Sequence, residues 1–350
     1  MFYRLFLFIG FNILISQSFF NNVVGDEIGF QSARSYAMGQ THFMNSNTSA
    51  LALRNPAKLS FLYFDDLKLD FNFSNFSYNE RRSIDLKDFF GDFLTEADYV
   101  SNLNSKFYTH FGFVKQIRLN PINFSLAFSY GPWSSLNYNY QEEVRGSQSF
   151  DDGIIGIRDP IEGYHILEHN GTIDMTSFAI AVATPGEFSF GVSMNKLISR
   201  SYEYKMQVIQ ISESFDNLSS VLNVNENIDY EGETFPSFSM IWIYDKMEIS
   251  IGAEDNAFIK SSDDFENNFD DTMGLPFYSE INVNSDLEYI SEGIFIEKPE
   301  KHKFGINFKN GFGYNYRLLS FEIINNYFSD NMYKDFKKIN LGLEYAKNDR

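Results

Sequence analysis

Apolar and polar side chains alternate one for one along several stretches of this chain. Leu67, Leu69, Phe71 and Phe73 alternate with Lys68, Asp70, Asn72 and Ser74. Ile122, Phe124, Leu126, Phe128 and Tyr130 alternate with Asn123, Ser125, Ala127 and Ser129. Phe188, Phe190, Val192 and Met194 alternate with Ser189, Gly191, Ser193 and Asn195. Phe238, Met240, Trp242 and Tyr244 face away from Ser237, Ser239 and Ile241, and Ile339, Leu341, Leu343 and Tyr345 alternate with Asn340, Gly342 and Glu344. Successive side chains of a strand point to opposite faces, so each run predicts a strand with one greasy and one polar face. In a soluble sandwich the greasy face meets another sheet. In a membrane barrel it meets lipid, and the polar face lines the lumen.

The connections differ on the two rims. Asn120 with Pro121, Pro185 with Gly186 and Asp245 with Lys246 are short turn dipeptides between runs, which is hairpin chemistry. They interleave with long polar segments at 79–105, 141–171, 213–233 and 254–300, where acidic residues such as Asp263, Asp264, Glu266, Asp270 and Asp271 gather. Short turns on one side and long loops on the other suit an outer-membrane barrel. The runs number 12 to 14. Tyr130, Trp133, Trp242, Tyr244 and Tyr345 sit near strand ends, as interfacial aromatic rings do.

The chain opens with one basic residue, Arg4, then an apolar run of about 11 residues from Leu5 to Ile15, followed by Ser16 and Ser18. That run is well short of the roughly 20 residues that span a bilayer. It reads as a secretory signal peptide, 1–18, cut after Ser18 or as late as Gly25. No later stretch approaches the length of a membrane helix. The 350 residues include no cysteine, which excludes a disulfide scaffold and thiol chemistry. Acidic side chains outnumber basic ones 47 to 28, a net charge of -19. Such a surface repels nucleic acid. Phe (39) and Tyr (21) are abundant in a chain whose mean hydropathy is slightly negative, as a lipid-facing sheet with a wet interior needs.

Between the leader and the first strand lies a segment rich in small residues. It contains Ala33 and Arg34, then Met38 and Gly39, then Ser49 and Ala50, then Asn55, Pro56 and Ala57. This pattern resembles the N-terminal plug of the FadL-like outer-membrane barrels, closest to the PorV/PorQ branch. That branch reads roughly G-A-R-x-x-x-M-G-x-A, then D-x-x-A-x-x-x-N-P-A-x-L. The acidic residue of the pattern is absent here, where Asn45, Asn47 and Thr48 stand. The resemblance implies an all-β, antiparallel transmembrane barrel of about 14 strands with an N-terminal plug. Its parts would be a plug at 19–62, a barrel at 63–346 and a polar tail at 347–350. Ala33, Arg34, Met38, Gly39, Asn55, Pro56 and Ala57 would act in the plug, structurally or as a gate. A barrel of that width cannot be filled by its own side chains. Asn55 with Pro56 would turn the chain into the first strand.

Catalytic signatures are missing. The sequence has no G-x-S-x-G, no P-loop and no dinucleotide fingerprint. His165 and His169 are four apart and could share a helical face as metal ligands, but a solvated pair is the simpler account. The acidic residues at 263–271 lack the order of a calcium loop. No enzyme activity, cofactor or metal is therefore expected.

Three functions remain. The PorV/PorQ resemblance implies protein secretion or surface delivery of the type IX kind, with secretion-system proteins and exported cargo as partners. The wider FadL resemblance implies transport of hydrophobic small molecules, such as long-chain fatty acids, across the outer membrane. There ligand leaves sideways where an early strand is interrupted by a bulge or a Pro; Asn120 and Pro121 offer one such place, although a periplasmic turn explains them more simply. A soluble secreted hydrolase or adhesin accounts for the leader and the alternation only.

Overall fold

The alternating runs become strands, and the strands run further than the alternation does. The computed structural model describes residues 26–28, 32–62, 64, 66–87, 93–145, 161–185, 187–198, 200–211, 218–261, 295–312, 315–329 and 334–347. The leader and the acidic run at 263–271 lie outside the described residues.

After β1 (Asp26–Glu27) come three short helices, α1 (Ala33–Ala37), α2 (His42–Asn45) and α3 (Leu51–Arg54), and a 3-10 turn at Pro56–Phe61. The strands follow: β2 (Leu67–Lys87), β3 (Phe93–Leu119), β4 (Ile122–Ser135), β5 (Tyr138–Arg145), β6 (Ile161–Asn170), β7 (Thr172–Ala183), β8 (Phe188–Ile198) and β9 (Arg200–Ile211). Then come β10 (Leu218–Gly232), β11 (Thr234–Tyr244), β12 (Met247–Glu254), β13 (Ala257–Ser261), β14 (Phe295–Lys298), β15 (Glu300–Phe312), β16 (Asn315–Tyr327) and β17 (Phe336–Lys347). No described helix is long and apolar enough to cross a membrane.

Pairing is antiparallel throughout and follows the chain. One tier runs β2, β3, β4, β7, β8, β11, β12, β15, β16, β17, each bonded to the next. A second tier runs β5, β6, β9, β10, β13, β14, with β3 joining β5 at Val100 to Asn102. Each second-tier strand is separated from its first-tier half by one or two residues. The described wall is therefore a meander of ten long strands, not fourteen. Breaks such as Gly171 and Pro299 interrupt a single strand and read in the sequence as boundaries between two.

The predicted long loops shrink for a related reason. Segment 79–105 is mostly the β2–β3 hairpin, paired as far as Lys87 with Phe93. Much of 141–171 and 213–233 is likewise strand, in β5, β6 and β10. Where apolar and polar residues do not alternate along the chain the period-two signal disappears, although the backbone still pairs. His165 and His169 stand on β6, a strand and not a helix or loop. Among the described residues no three His, Asp or Glu side chains converge as a metal group.

Polarity across the first tier is inverted relative to a soluble sheet. The large apolar residues face outward and are exposed on every strand of that tier, from Phe71 at 70% on β2 through Phe178, Phe190, Phe238, Ile251, Phe308 and Leu319 to Leu343 at 71% on β17. The inward positions are small or polar and buried, among them Ser125, Ser129, Ser177, Ser189, Ser193, Ser237, Ser239, Ser250 and Ser320.

What buries them is residues 32–62. The registers run from β2 to β17, and none joins those two edges among the described residues. Yet both edges bond the same inner segment. The Ser49 amide donates to Asp70 on β2 at 2.6 Å, and Asn340 on β17 donates to the Gln40 carbonyl at 2.9 Å. A sheet whose two edges grip one short segment is curled around it. Leu51, Ala52 and Leu59 pack with Val114, Ala127, Ala179 and Ala181 from the wall. Backbone approaches wall so closely that a Cβ on Gly191 would collide with Pro56 and Ala57. Replacing Gly191 with Val is expected to cost about 1–3 kcal/mol by overpacking, read as a lower urea midpoint of the folded form.

Candidate functional site

The inner segment is built from turns too short to satisfy their own backbone. Ser32 caps α1, its hydroxyl accepting from the Ser35 amide at 3.2 Å. Gly39 then reverses the chain at φ +65, a conformation glycine adopts without a Cβ penalty. It also lies against the Leu341 carbonyl, where a Cβ would collide. Tyr36 meets His42 edge to face at 5.3 Å, and burial pushes the Tyr36 phenol above its ordinary value. Phe43 and Met44 are fully buried.

The residues singled out in the sequence take distinct places. Arg34 reaches Glu344 on β17 at 2.6 Å. Met38 is buried against Gly342 of the same strand. Asn55 ties the segment together and to the wall, donating to the Phe43 carbonyl at 3.0 Å and to Ser250 at 2.9 Å. Pro56 begins the 3-10 turn. The Ala57 amide donates to Ser239 at 2.8 Å and its carbonyl accepts from Ser189 at 2.7 Å. Ala33 is exposed at the start of α1.

The charged grips were not legible in the sequence, because their partners are far apart along the chain. Glu322 on β16 accepts the Met44 amide at 2.6 Å, as Asp70 does the Ser49 amide. Lys58 bonds the Met44 carbonyl and Glu248 on β12. Lys303 bonds the Arg54 carbonyl at 3.1 Å and pairs with Glu254, which also lies 3.3 Å from Lys298; all three side chains are almost fully buried. Lys298 in turn stands 4.2 Å over the Phe235 ring. Ions this deep need such partners, since an uncompensated buried charge is costly.

A second feature lies in the wall. β3 pairs with β4 from Phe111 opposite Tyr130 downward, and with β5 from Asn102 opposite Tyr140 upward. Between these ladders, residues 103–110 of β3 have no register with 131–139 across from them. β4 instead pairs with β1 at this level, Asp26 opposite Ser135 and Glu27 opposite Ser134, and Ile28 donates to the Trp133 carbonyl at 3.0 Å. The wall is split here, and the N-terminal strand sits against one lip. The register of β4 shifts between Pro132 and Ser134, as a bulge beside a residue without an N–H would do. The interruption is thus at Pro132. Asn120 and Pro121 form the turn between β3 and β4. Trp133 is buried at the split and is no interfacial ring, whereas Trp242, Tyr244 and Tyr345 are exposed outward.

No protein-family model matches this chain, and no curated protein matches it in sequence. Among solved structures it is similar to the crystal structure of a Pseudomonas aeruginosa FadL homologue. The match covers 86% of this chain and 69% of that one, at 12% identity and a TM-score of 0.43. At that distance no residue role carries over.

The two carboxylate grips can be tested together. Hydrogen bonds to charged groups contribute about 1.5–3 kcal/mol each. The double variant Asp70→Ala, Glu322→Ala is expected to leave the wall folded and to expose the bonds after Arg54 and Lys58 to trypsin, which limited proteolysis with mass spectrometry reads directly.

Proposed function

We propose that this chain is a non-enzymatic outer-membrane barrel, plugged by residues 32–62, that passes hydrophobic small molecules sideways through the split between β3 and β4. The observation that carries the reading is the split itself, occupied on one lip by β1. The wall around it has the polarity a bilayer requires: an apolar belt outside and small polar residues within. Backbone groups in lipid must be satisfied internally, and a meander of ten strands, an even number, can do this by closing on itself. A hydrophobic ligand gains by passing through the wall directly into the membrane, without crossing water. Outer-membrane lipid is the partner implied, with long-chain fatty acids as the ligand class and no cofactor.

The secretion reading keeps the support of the plug motif, from Ala33 to Ala57. The long acidic segments that would dock cargo or secretion-system proteins fall partly outside the described residues.

The test locks β1 in place. Asp26 and Ser135 are opposed in an antiparallel pair, which sets their Cα atoms about 4.5–5.5 Å apart, within disulfide range. The native chain has no cysteine, so Asp26→Cys with Ser135→Cys makes a single bridge. Uptake of a fluorescent long-chain fatty acid by cells carrying the oxidised variant is expected to fall to the level of cells lacking the protein and to recover on reduction. Uptake that is equal before and after oxidation would sink the lateral route.

A further inference from the structure

Where the backbone ladder between β3 and the next strand is missing, side chains replace it. β3 turns Phe107 and Phe111 outward, 62% and 43% exposed, and sends Lys106 and Tyr108 inward. The Tyr108 hydroxyl donates to Ser135 Oγ at 2.5 Å. Asn137, in the two-residue break between β4 and β5, donates through Nδ2 to the Tyr108 hydroxyl at 2.9 Å and to Ser135 Oγ at 2.8 Å. Its Oδ1 accepts from Lys106 at 2.9 Å and from the Gly171 amide at 3.1 Å. Lys106 also bonds Asn170 Oδ1 at 2.9 Å. A buried amide with both halves bonded thus joins β3 to the breaks in the two following strands. It does so at the level where β3, paired on its other edge with β2, has no backbone register toward β4. Tyr108, Ser135 and Asn137 are all nearly fully buried, and hydrogen bonds that link one another in a low-dielectric site strengthen and stiffen the network.

We propose that Tyr108, Ser135, Asn137 and Lys106 form a polar clasp that holds the split shut, and that its release opens the wall to lipid at this level. This deepens the lateral-passage reading and rests on it. The registered pairs of wall strands from β2 round to β17 are held by backbone hydrogen bonds that no side-chain change removes. Here four side chains set the aperture, so single substitutions can widen it while the ladders above and below stay intact. Asn137 is the member bonded on every side, and Tyr108 is the member that crosses the split.

Trp133, buried beside Ser135, reports the opening, and the protein's other tryptophan is Trp242. The full chain carrying Trp242→Phe is placed in vesicles of lipid with brominated acyl chains, and quenching of Trp133 emission is measured. The parent is expected to be weakly quenched. Tyr108→Phe and Asn137→Ala each weaken a buried hydrogen bond and are expected to shift the open-to-closed ratio about tenfold, seen as strong quenching. Tyr130→Phe removes a hydroxyl that donates to Asp174 at 2.6 Å in the paired part of the wall, and is expected to leave quenching at the parent level. Quenching that rises in the clasp variants without faster fatty-acid uptake keeps the clasp and defeats lateral passage. The clasp is overturned if variants that still migrate as folded barrels before boiling quench like the parent. Equal quenching in Tyr130→Phe, or strong quenching in the parent, overturns it as well.

Discussion

A folded segment lodged inside a sheet must have its backbone N–H and C=O groups answered, and here the wall answers many of them. Buried main-chain polar groups without partners are costly, and residues 32–62 make only short helices that leave many such groups open. Ser239 and Ser189 take the two sides of Ala57, Glu322 takes the Met44 amide, Asp70 takes the Ser49 amide, and Lys303 takes the Arg54 carbonyl. Gln116 on β3 donates to the Leu59 and Leu62 carbonyls at 3.3 and 2.6 Å. Much of the rest of the structure follows from that demand. The inner face of the wall carries serine, asparagine and a few ions because it is bonding to backbone. It carries glycine and alanine because that backbone lies close.

The same demand explains how ten strands enclose so much. A narrower wall leaves less room, and small inward residues such as Gly191, Ala179, Ala181 and Ser193 return some of it. With the interior committed to polar and small residues, the apolar residues have only the outer face to occupy. That is the reverse of a soluble sandwich, in which apolar faces meet across a core. The buried Glu254 with Lys298 and Lys303 fits the pattern: the ions are compensated by one another and by the Arg54 carbonyl, and they fix α3 against β12 and β15.

Much of this was legible because period two survives wherever one face is apolar. Phe188 to Asn195 and Leu67 to Ser74 disclosed strand, face and polarity at once. The inner segment was legible as a motif of small residues ending at Asn55, Pro56 and Ala57. Strand number was not, since a strand broken at Gly171 or Pro299 looks like two. Strand length was not, since 79–87 and 93–105 carry no regular alternation of apolar and polar residues yet pair as a hairpin. The grips at Asp70, Glu322 and Lys303 were hidden because their partners are distant in sequence and chosen by the fold. The turn at Asn120 and Pro121 was legible as such, and the split could have been suspected from Gly131 and Pro132, two strand breakers inside an aromatic run.

Spin labels along β8 in lipid bilayers test the central claim, an apolar outside in lipid around a polar inside filled by its own chain. Labels at Phe190, Val192 and Met194 should collide with oxygen dissolved among acyl chains and be shielded from a water-soluble nickel chelate. A label at Ser193 should be shielded from both. Collision with the nickel chelate at the three outward positions would contradict the account, because that face would then meet water.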